Sequence, residues 1–298
     1  MWLAGSTAAA WENCSEPEHA IDVKLNNFLA AAEEAARAAG SLILGSWQKS
    51  KEIRYKSAID LVTTVDRQAE ERIVHILRRE FPDHSFLAEE QTAIVGSQSN
   101  YRWIIDPLDG TTNFAHAYPH FCVSVALEQQ GEVILGVVHD PMRDETFKAT
   151  RRRGAFLNGT PVRTSRVAEL DKALLATGFP YDRRERADFY LGFFKAFMVR
   201  CQGIRRTGSA ALDLCYLACG RVDGFWELKL HPWDTAAGCL IVREAGGSFT
   251  DFDGKEFSIW REETLASNGL IHAEMVRVAS QVKSSGGSVP ALDRSQAG

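Results

Sequence analysis

Apolar residues recur at helical spacing in two stretches near the start of the chain. In residues 22–47 the repeating positions are Phe28, Leu29, Ala32, Ala36, Ala39, Ile43 and Leu44. This spacing in an Ala-rich background predicts one amphipathic helix. A second helix is predicted from about Asp66, a candidate N-cap, to Phe81-Pro82, because a proline disfavours helix at the residue before it.

Shorter apolar runs follow, with turn signals between them. They predict strands at 85–88, 103–105, 121–127 and 133–139, the last two joined in a hairpin at Gln130-Gly131. Further β pieces are predicted within 145–162, broken by Gly154 and by Asn158-Gly159. This half therefore resembles an α+β layer with an antiparallel sheet.

After about residue 170 short apolar strands alternate with helical stretches. Strands are predicted at 173–177 and 223–227, and helices at about 185–200, 209–219, 234–245 and 270–283, as in an α/β layer. The predicted organisation is a loose leader (1–20), an N-terminal α+β half (21–165), a C-terminal α/β half (166–283) and a disordered tail (284–298).

Composition narrows the class of protein. The net charge of −5 argues against a general nucleic-acid binder. The six cysteines contain no Cys-x-x-Cys pair, which is typical of reduced thiols in a cytoplasmic protein. The sequence contains no apolar run approaching the roughly 18 residues that span a bilayer. We therefore expect a cytoplasmic protein that does not bind membranes.

The most informative segment runs from Trp103 to Phe114. An apolar run ends there in Asp106 and Asp109, with Pro107 between them and Gly110 and Thr111 directly after. Buried carboxylates are costly unless a cation arrives, and Pro107 predicts a turn because it removes a backbone donor. Free amides at Gly110 and Thr111, at the start of a helical turn, suit an anion. The segment therefore predicts a divalent metal lying against a phosphate.

Other acidic residues fit the same chemistry. Glu89-Glu90 follow a predicted strand, while Asp66 and Asp234 open predicted helices. Singly, each has an ordinary explanation as a helix cap or a solvated residue. Together they form an all-oxygen donor set, which favours Mg²⁺ or Mn²⁺ over Zn²⁺.

The chain resembles the inositol monophosphatase family. Residues 103–114 are similar to the first family signature, and the stretch from Trp233 to Gly247 is similar to the second. Residues 60–66 and 86–90 match two further pieces in the expected order, and the similarity runs from about residue 25 to 280. The resemblance implies a layered αβαβα sandwich, hydrolysis of small phosphate monoesters, Mg²⁺ dependence, inhibition by Li⁺ and a homodimer.

The resemblance also implies a metal-ligand set. A first metal would be held by Glu89, Asp106 and the backbone carbonyl of Leu108, and a second by Asp106, Asp109 and Asp234. A third, weaker ion would lie near Glu89, which makes two or three Mg²⁺ per site, with Mn²⁺ as a substitute. The segment around Lys56 is about one residue shorter than in animal members, so the role of Lys56 stays open.

These assignments give a mechanistic hypothesis. A water near Glu89 loses its proton with help from Thr111, whose hydroxyl is oriented by Asp66, and attacks phosphorus in line. By resemblance, Asp109, Gly110, Thr111 and Asp234 contact the phosphate ester. Likewise the backbone at Gly208, Ser209 and Ala210, together with the Glu227 carboxylate, meets the substrate's hydroxyl groups.

The predicted function is hydrolysis of inositol 1-phosphate to inositol and phosphate. Fructose 1,6-bisphosphate and histidinol phosphate are the alternative substrates, because fold alone does not decide among them. Relatives acting on histidinol phosphate more often carry Lys where this chain has Thr112. A second class of answer is a regulatory binding protein with residual catalysis. Retention of carboxylates at 66, 89, 106, 109 and 234 argues against it.

Overall fold

The computed structural model describes residues 18–47, 53–55, 61–90 and 99–287. Its helices are α1 (Glu18–Ser46), α2 (Thr64–Glu80), α3 (Thr111–Ala115), α4 (Ala187–Met198), α5 (Ala210–Ala218), α6 (Pro232–Glu244) and α7 (His272–Ser284). Short 3-10 helices occupy Leu170–Lys172 and Tyr181–Arg184. In this part of the chain no helix is long and apolar enough to cross a membrane.

The strands form three sheets. A two-stranded sheet pairs β1 (Ile53–Tyr55) with β2 (Leu61–Thr63). The seven-stranded sheet follows chain order through β3 (Ser85–Ala88), β4 (Tyr101–Asp109), β5 (Cys122–Gln129), β6 (Glu132–Asp140), β7 (Glu145–Thr150), β8 (Ala155–Leu157) and β9 (Thr160–Val162). Only its β3–β4 pair is parallel; the other neighbouring strands in this sheet are antiparallel.

The five-stranded sheet belongs to the second half of the chain. It contains β10 (Leu174–Thr177), β11 (Gly203–Arg205), β12 (Gly224–Leu228), β13 (Ser248–Thr250) and β14 (Glu263–Ser267), in the order β11-β10-β12-β14-β13. β10 is parallel to both of its neighbours, whereas β14 is antiparallel to β12 and β13. The sequence pattern predicted β10 and β12 but not β11, β13 or β14.

In the described part of the chain, three apolar clusters hold five layers together, with the central cluster on both sides of the middle helices. α1 and α2 cover one face of the seven-stranded sheet, and α5 and α6 fill the space between the two large sheets. α4 and α7 cover the outer face of the five-stranded sheet. Successive β4 residues enter different cores, Trp103 and Ile105 on the α1–α2 side and Ile104 on the α6 side, as the two-residue period of a strand requires. The predicted αβαβα sandwich is confirmed.

The termini of the predicted segments need correction. α1 already begins at Glu18, so residues 18–20 are helical rather than part of a loose leader. α7 includes Ser284, so the predicted disordered tail does not begin at that residue. Beyond the helix, the Gly287 amide donates to Val282 O at 2.9 Å and closes the C-terminal end of α7. Residues 1–17, 288–298 and the segment from Lys56 to residue 60 lie outside the described residues.

β4 does not stop at Asp106, and the expected turn at Pro107 is wrong. The strand continues to Asp109, with a register shift opposite β5 between Asp106 and Asp109. A bulge accommodates a residue that has no N–H to give to the ladder, so Pro107 is tolerated there. The bulge allows both aspartates to stay on one rigid strand.

The glycine at position 136 controls how closely α6 approaches β6. A Cβ on Gly136 would lie 2.7 Å from Ala237 Cα and 2.9 Å from Ala237 O, both backbone atoms of α6. Gly136→Ala should therefore lower the free energy of unfolding by about 1–3 kcal/mol, the usual cost of overpacking. The control is Gly45→Ala on α1, where nothing lies within 4 Å of the added carbon. Equal thermal stability of the two variants would contradict this prediction.

Candidate active site

A cleft of about 180 Å³ gathers the acidic residues singled out in the sequence. It lies where β3 and β4 end and where α3, α5 and α6 begin. Its lining includes Glu89, Asp106, Leu108, Asp109, Gly110, Thr111, Gly208, Ser209, Ala210, Glu227 and Asp234. Chain segments more than a hundred residues apart therefore meet at one surface.

Four carboxylates repel one another in this cleft. Burial raises the pKa of Asp106 well above its usual value, and the charges of Glu89, Asp109 and Asp234 raise it further. Burial likewise raises the pKa of Asp234, with Asp109 and Glu89 adding to the effect, and it raises the pKa of Asp109 to about 6. Converging carboxylates with raised pKa values and only oxygen donors fit a hard divalent cation, which would relieve the repulsion.

Two of these aspartates are fixed by the backbone of β4 and α5. The amide of Leu108 donates to Asp106 Oδ1 at 2.9 Å. Asp109 Oδ2 accepts from Ser209 Oγ and from the Ala211 amide, each at 2.7 Å. These bonds hold each carboxylate in a single orientation.

Asp234 is oriented by the start of α6. Pro232 occupies the first turn, where its missing N–H costs nothing. The Asp234 side chain accepts from the His231 amide at 2.7 Å in a capping box. Asp234 is therefore the third helical residue and not the helix opener, and the cap aims its carboxylate into the cleft.

Thr111 and Asp66 form the hydrogen-bonded pair that the sequence hypothesis requires. Thr111 Oγ1 lies 3.0 Å from Asp66 Oδ1 and 3.0 Å from Leu108 O. A hydroxyl has one proton, so it donates to one of these oxygens at a time. Asp66 is buried. Because α2 begins at Thr64, Asp66 lies inside the first helical turn, and the prediction that it is the N-cap of this helix is wrong.

The turn at Gly110 depends on glycine. Gly110 has φ +96° and precedes α3 directly. An added Cβ would lie 3.0 Å from His120 O and 3.2 Å from Phe121 Cα. The residue therefore provides the left-handed conformation and the close approach that bring the first amides of α3 to the cleft.

The second half of the chain supplies the opposite wall. Gly208 has φ +91°, and Ser209 is the N-cap of α5, accepting from Leu212 N at 3.4 Å. Asn113 Nδ2 donates to Thr207 O at 2.9 Å and to His120 O at 2.7 Å. Asn113 thus fastens α3 to this wall, a role the sequence analysis missed although the residue lies inside the first signature.

Glu227, near the end of β12, also lines the cleft. It is 9% exposed, and burial raises its pKa to about 8, with the Arg206 charge acting in the opposite direction. Gly178 packs against its carboxylate so closely that any side chain there would collide with it. Neither Arg206 nor Gly178 carried a sequence signal of its own.

Asp213 is a further buried carboxyl in this wall. It lies on α5, is 2% exposed and accepts from Thr207 Oγ1 at 2.5 Å. Burial raises its pKa to about 8. No motif in the sequence singles it out, because it is an acidic residue inside an otherwise apolar helix.

The raised pKa of Asp213 predicts a pH effect on stability. Between about pH 4 and pH 8 the folded protein retains a proton that the unfolded chain releases, so the free energy of unfolding falls as pH rises. Asp213→Asn keeps an acceptor for Thr207 and removes this effect. Calorimetry in EDTA should show the wild type losing up to about 1.4 kcal/mol per pH unit relative to the variant. Parallel stability curves between pH 5 and pH 8 would contradict it.

Another carboxylate group lies outside the cleft. Asp251, Asp253 and Glu263 bring oxygens within 4.8 Å of one another. Lys283 Nζ lies 2.7 Å from Asp253 and 2.8 Å from Glu263, and Asp251 Oδ1 accepts the amides of Asp253 and Lys255. These bonds make the group an ion-pair network that joins α7 to the 251–263 segment.

Comparisons with known proteins agree with this geometry. The model of the inositol monophosphatase family matches residues 24–284. An inositol-1-monophosphatase from Synechocystis sp. is 48% identical over 252 residues, covering 84% of this chain and 88% of that protein. The Nus factor SuhB of Escherichia coli is 47% identical over 254 residues, which cover 85% of this chain and 95% of that protein. The solved structure of an inositol monophosphatase from Anabaena (Nostoc) sp. PCC 7120 superposes with a TM-score of 0.80 at 43% sequence identity. The match covers 90% of this chain and 98% of that chain.

Proposed function

Because the chain belongs to the inositol monophosphatase family, which hydrolyses small phosphate monoesters, we propose that its substrate is inositol 1-phosphate. The observation that carries the proposal is the convergence of Glu89, Asp106, Asp109 and Asp234 in one cleft. The 48% identity to an inositol-1-monophosphatase supports the choice of ester.

We propose that Mg²⁺ is the metal, with two or three ions per site and Mn²⁺ as a substitute. Glu89, Asp106, Asp109, Asp234 and the Leu108 carbonyl would hold it. When bound, Mg²⁺ supplies the positive charge that acidifies water and stabilises a departing alkoxide. The oxygen-only donors and the raised pKa values of Asp106 and Asp234 support this assignment.

The protein's own groups have defined roles in the proposed reaction. When Thr111 Oγ1 donates to Asp66, it can accept a proton from the attacking water as its own hydroxyl proton passes to the Asp66 carboxylate, where the proton then resides. The amides at Gly110 and Thr111 would donate hydrogen bonds to the phosphate oxygens. Ser209 holds Asp109, and the backbone at Gly208 and Ala210 with the Glu227 carboxylate orients the ring hydroxyls.

The decisive measurement is phosphate release from D,L-inositol 1-phosphate with and without Mg²⁺. We expect turnover that requires the metal, is inhibited by millimolar Li⁺ and exceeds, in kcat/KM, turnover of fructose 1,6-bisphosphate and histidinol phosphate. A higher kcat/KM for either alternative ester would reassign the substrate. Absence of metal-dependent release from all three would reject the enzymatic proposal.

A homodimer in the cytoplasm completes the proposal. Light scattering on the purified protein tests the dimer, with a mass of about twice 33.0 kDa as the expected result. A mass of one chain would contradict it.

A regulatory role is the second candidate function. Relatives at 47% identity carry the name Nus factor rather than a phosphatase name, which favours a macromolecular partner for this chain as well. Affinity capture with wild type and with Asp106→Asn separates the two roles. A stoichiometric partner held equally by both proteins, with negligible phosphate release by the wild type, would place binding ahead of catalysis.

A further inference from the structure

A second cleft, of about 820 Å³, lies at the other end of α6 from Asp234. We call it the basic cleft; its walls include Arg151, Arg152, Arg243, Lys255, Trp260 and Arg261. Asp234 lies in the first turn of α6 and Arg243 in the last, about 14 Å apart at the rise of an α-helix. The basic cleft is therefore separate from the catalytic cleft.

The charge of the basic cleft is opposite to that of the whole protein. Five cationic side chains line it, against the carboxylates of Glu132, Glu244 and Glu256, although the chain carries a net charge of −5. Lys255 and Arg261 approach aspartates only at 4.0 and 3.9 Å. A surface of this kind attracts an anion.

Two arginines of the cleft have no acidic partner in the part of the chain that the structure describes. Glu132 is paired with Arg151, and the two Glu244 oxygens accept the amides of Arg152 and Gly154 at 2.7 and 2.8 Å. Within the described residues the guanidinium groups of Arg152 and Arg243 therefore form no ion pair. A free guanidinium presents a planar fork of donors that matches a phosphate.

The Arg152 backbone is held in place by the same glutamate. Arg152 has φ +65°, a conformation that non-glycine residues seldom adopt. Glu244 stabilises it by receiving the amides on both sides of the turn. This turn therefore places Arg151 and Arg152 in the wall of the cleft.

An aromatic surface lines the same cleft as the free arginines. The Trp260 side chain is 55% exposed and lines the cleft, and the Arg102 guanidinium lies 5.7 Å from its ring centroid. Phe257 and Ile259 supply buried apolar surface next to it. An exposed indole stacks well on a flat aromatic ring. A nucleobase is a flat ring of this kind, and in a nucleotide the ribose links it to a phosphate.

From the free arginines, the exposed indole and the size of the cleft, we propose that the basic cleft binds a nucleoside monophosphate. The phosphate would lie between Arg152 and Arg243, and the base would stack on Trp260. The volume of the cleft falls within the range of small-molecule sites. This proposal does not depend on which ester the catalytic cleft hydrolyses.

The test is calorimetric titration of the Mg²⁺-loaded protein with a phosphonate analogue of AMP that cannot be hydrolysed. Arg152→Gln and Arg243→Gln should each raise Kd about tenfold, the loss of one charge-assisted contact. Trp260→Ala should raise Kd for the analogue but leave Kd for inorganic phosphate unchanged. Arg153→Gln, in the same turn but outside the cleft lining, is the matched control and should bind as the wild type does.

Asp106→Asn distinguishes the two clefts. Binding that survives Asp106→Asn and is weakened by Arg152→Gln supports the proposal. Binding lost in Asp106→Asn and kept in Arg152→Gln would assign the analogue to the catalytic cleft and overturn it. Failure to bind at millimolar concentration, or binding of a short single-stranded RNA without binding of the analogue, would also overturn it.

Discussion

Asp106→Asn should lower kcat/KM for inositol 1-phosphate at least about 10³-fold, because it removes a charge that both proposed metals share. The fold should persist, since Asn can still accept the Leu108 amide that now bonds to Asp106 Oδ1 at 2.9 Å. The measurement is steady-state phosphate release at saturating Mg²⁺. Asp171→Asn, at an exposed position of the 3-10 helix Leu170–Lys172, is the matched control and should retain full activity.

The same variant should change stability in a way that depends on metal. In EDTA, Asp106→Asn should melt at a higher temperature than the wild type, because a carboxyl whose pKa is raised by burial and by three neighbouring carboxylates destabilises the fold when ionised. With Mg²⁺ the order should reverse, because only the wild type gains the full metal-binding free energy. Turnover near that of the wild type, or melting curves insensitive to Mg²⁺ in both proteins, would refute the proposed metal site.

Thr111→Val should lower kcat about 10²- to 10³-fold with a small change in KM, the effect expected of a lost proton-transfer group. Thr111 Oγ1 lies 3.0 Å from Asp66 Oδ1, and valine retains the shape of the side chain without the hydroxyl. The matched control is Thr160→Val, because Thr160 is an exposed threonine on β9 and lies outside the lining of the catalytic cleft. Equal activity of the two valine variants would exclude Thr111 from the reaction.

A double-mutant cycle with Asp66→Asn tests whether the two residues act as one unit. Asp66→Asn should lower kcat by a similar factor, and the double variant should be no slower than the slower single variant. Fully multiplicative losses would mean that Asp66 only supports the start of α2. Melting temperatures within a few degrees of the wild type would show that the kinetic losses do not arise from unfolding.

The sequence was sufficient to predict site residues wherever one short segment supplies both the reactive groups and their relative positions. Asp106, Asp109, Gly110 and Thr111 lie within six residues, and the structure places all four in one cleft. Periodicity predicted α1, α2 and most strands of the seven-stranded sheet, because their apolar faces are local properties. The prediction was wrong at Pro107, where a bulge lets β4 continue. It was also wrong at the ends of helices, because capping interactions determine where a helix begins and ends.

What the sequence by itself determined is therefore the order of the layers, through the family signatures, and the oxygen-only donor set. The resemblance also implied that Asp234 meets Asp106, and the structure brings the two carboxylates together. The tertiary structure alone decided that Asp213 and Glu227 are buried with pKa values near 8, and that Gly178 packs on Glu227. It also decided that Arg152 and Arg243 share a cleft. The physical reason is that burial and electrostatic coupling depend on distances between segments remote in the chain, which no local pattern encodes.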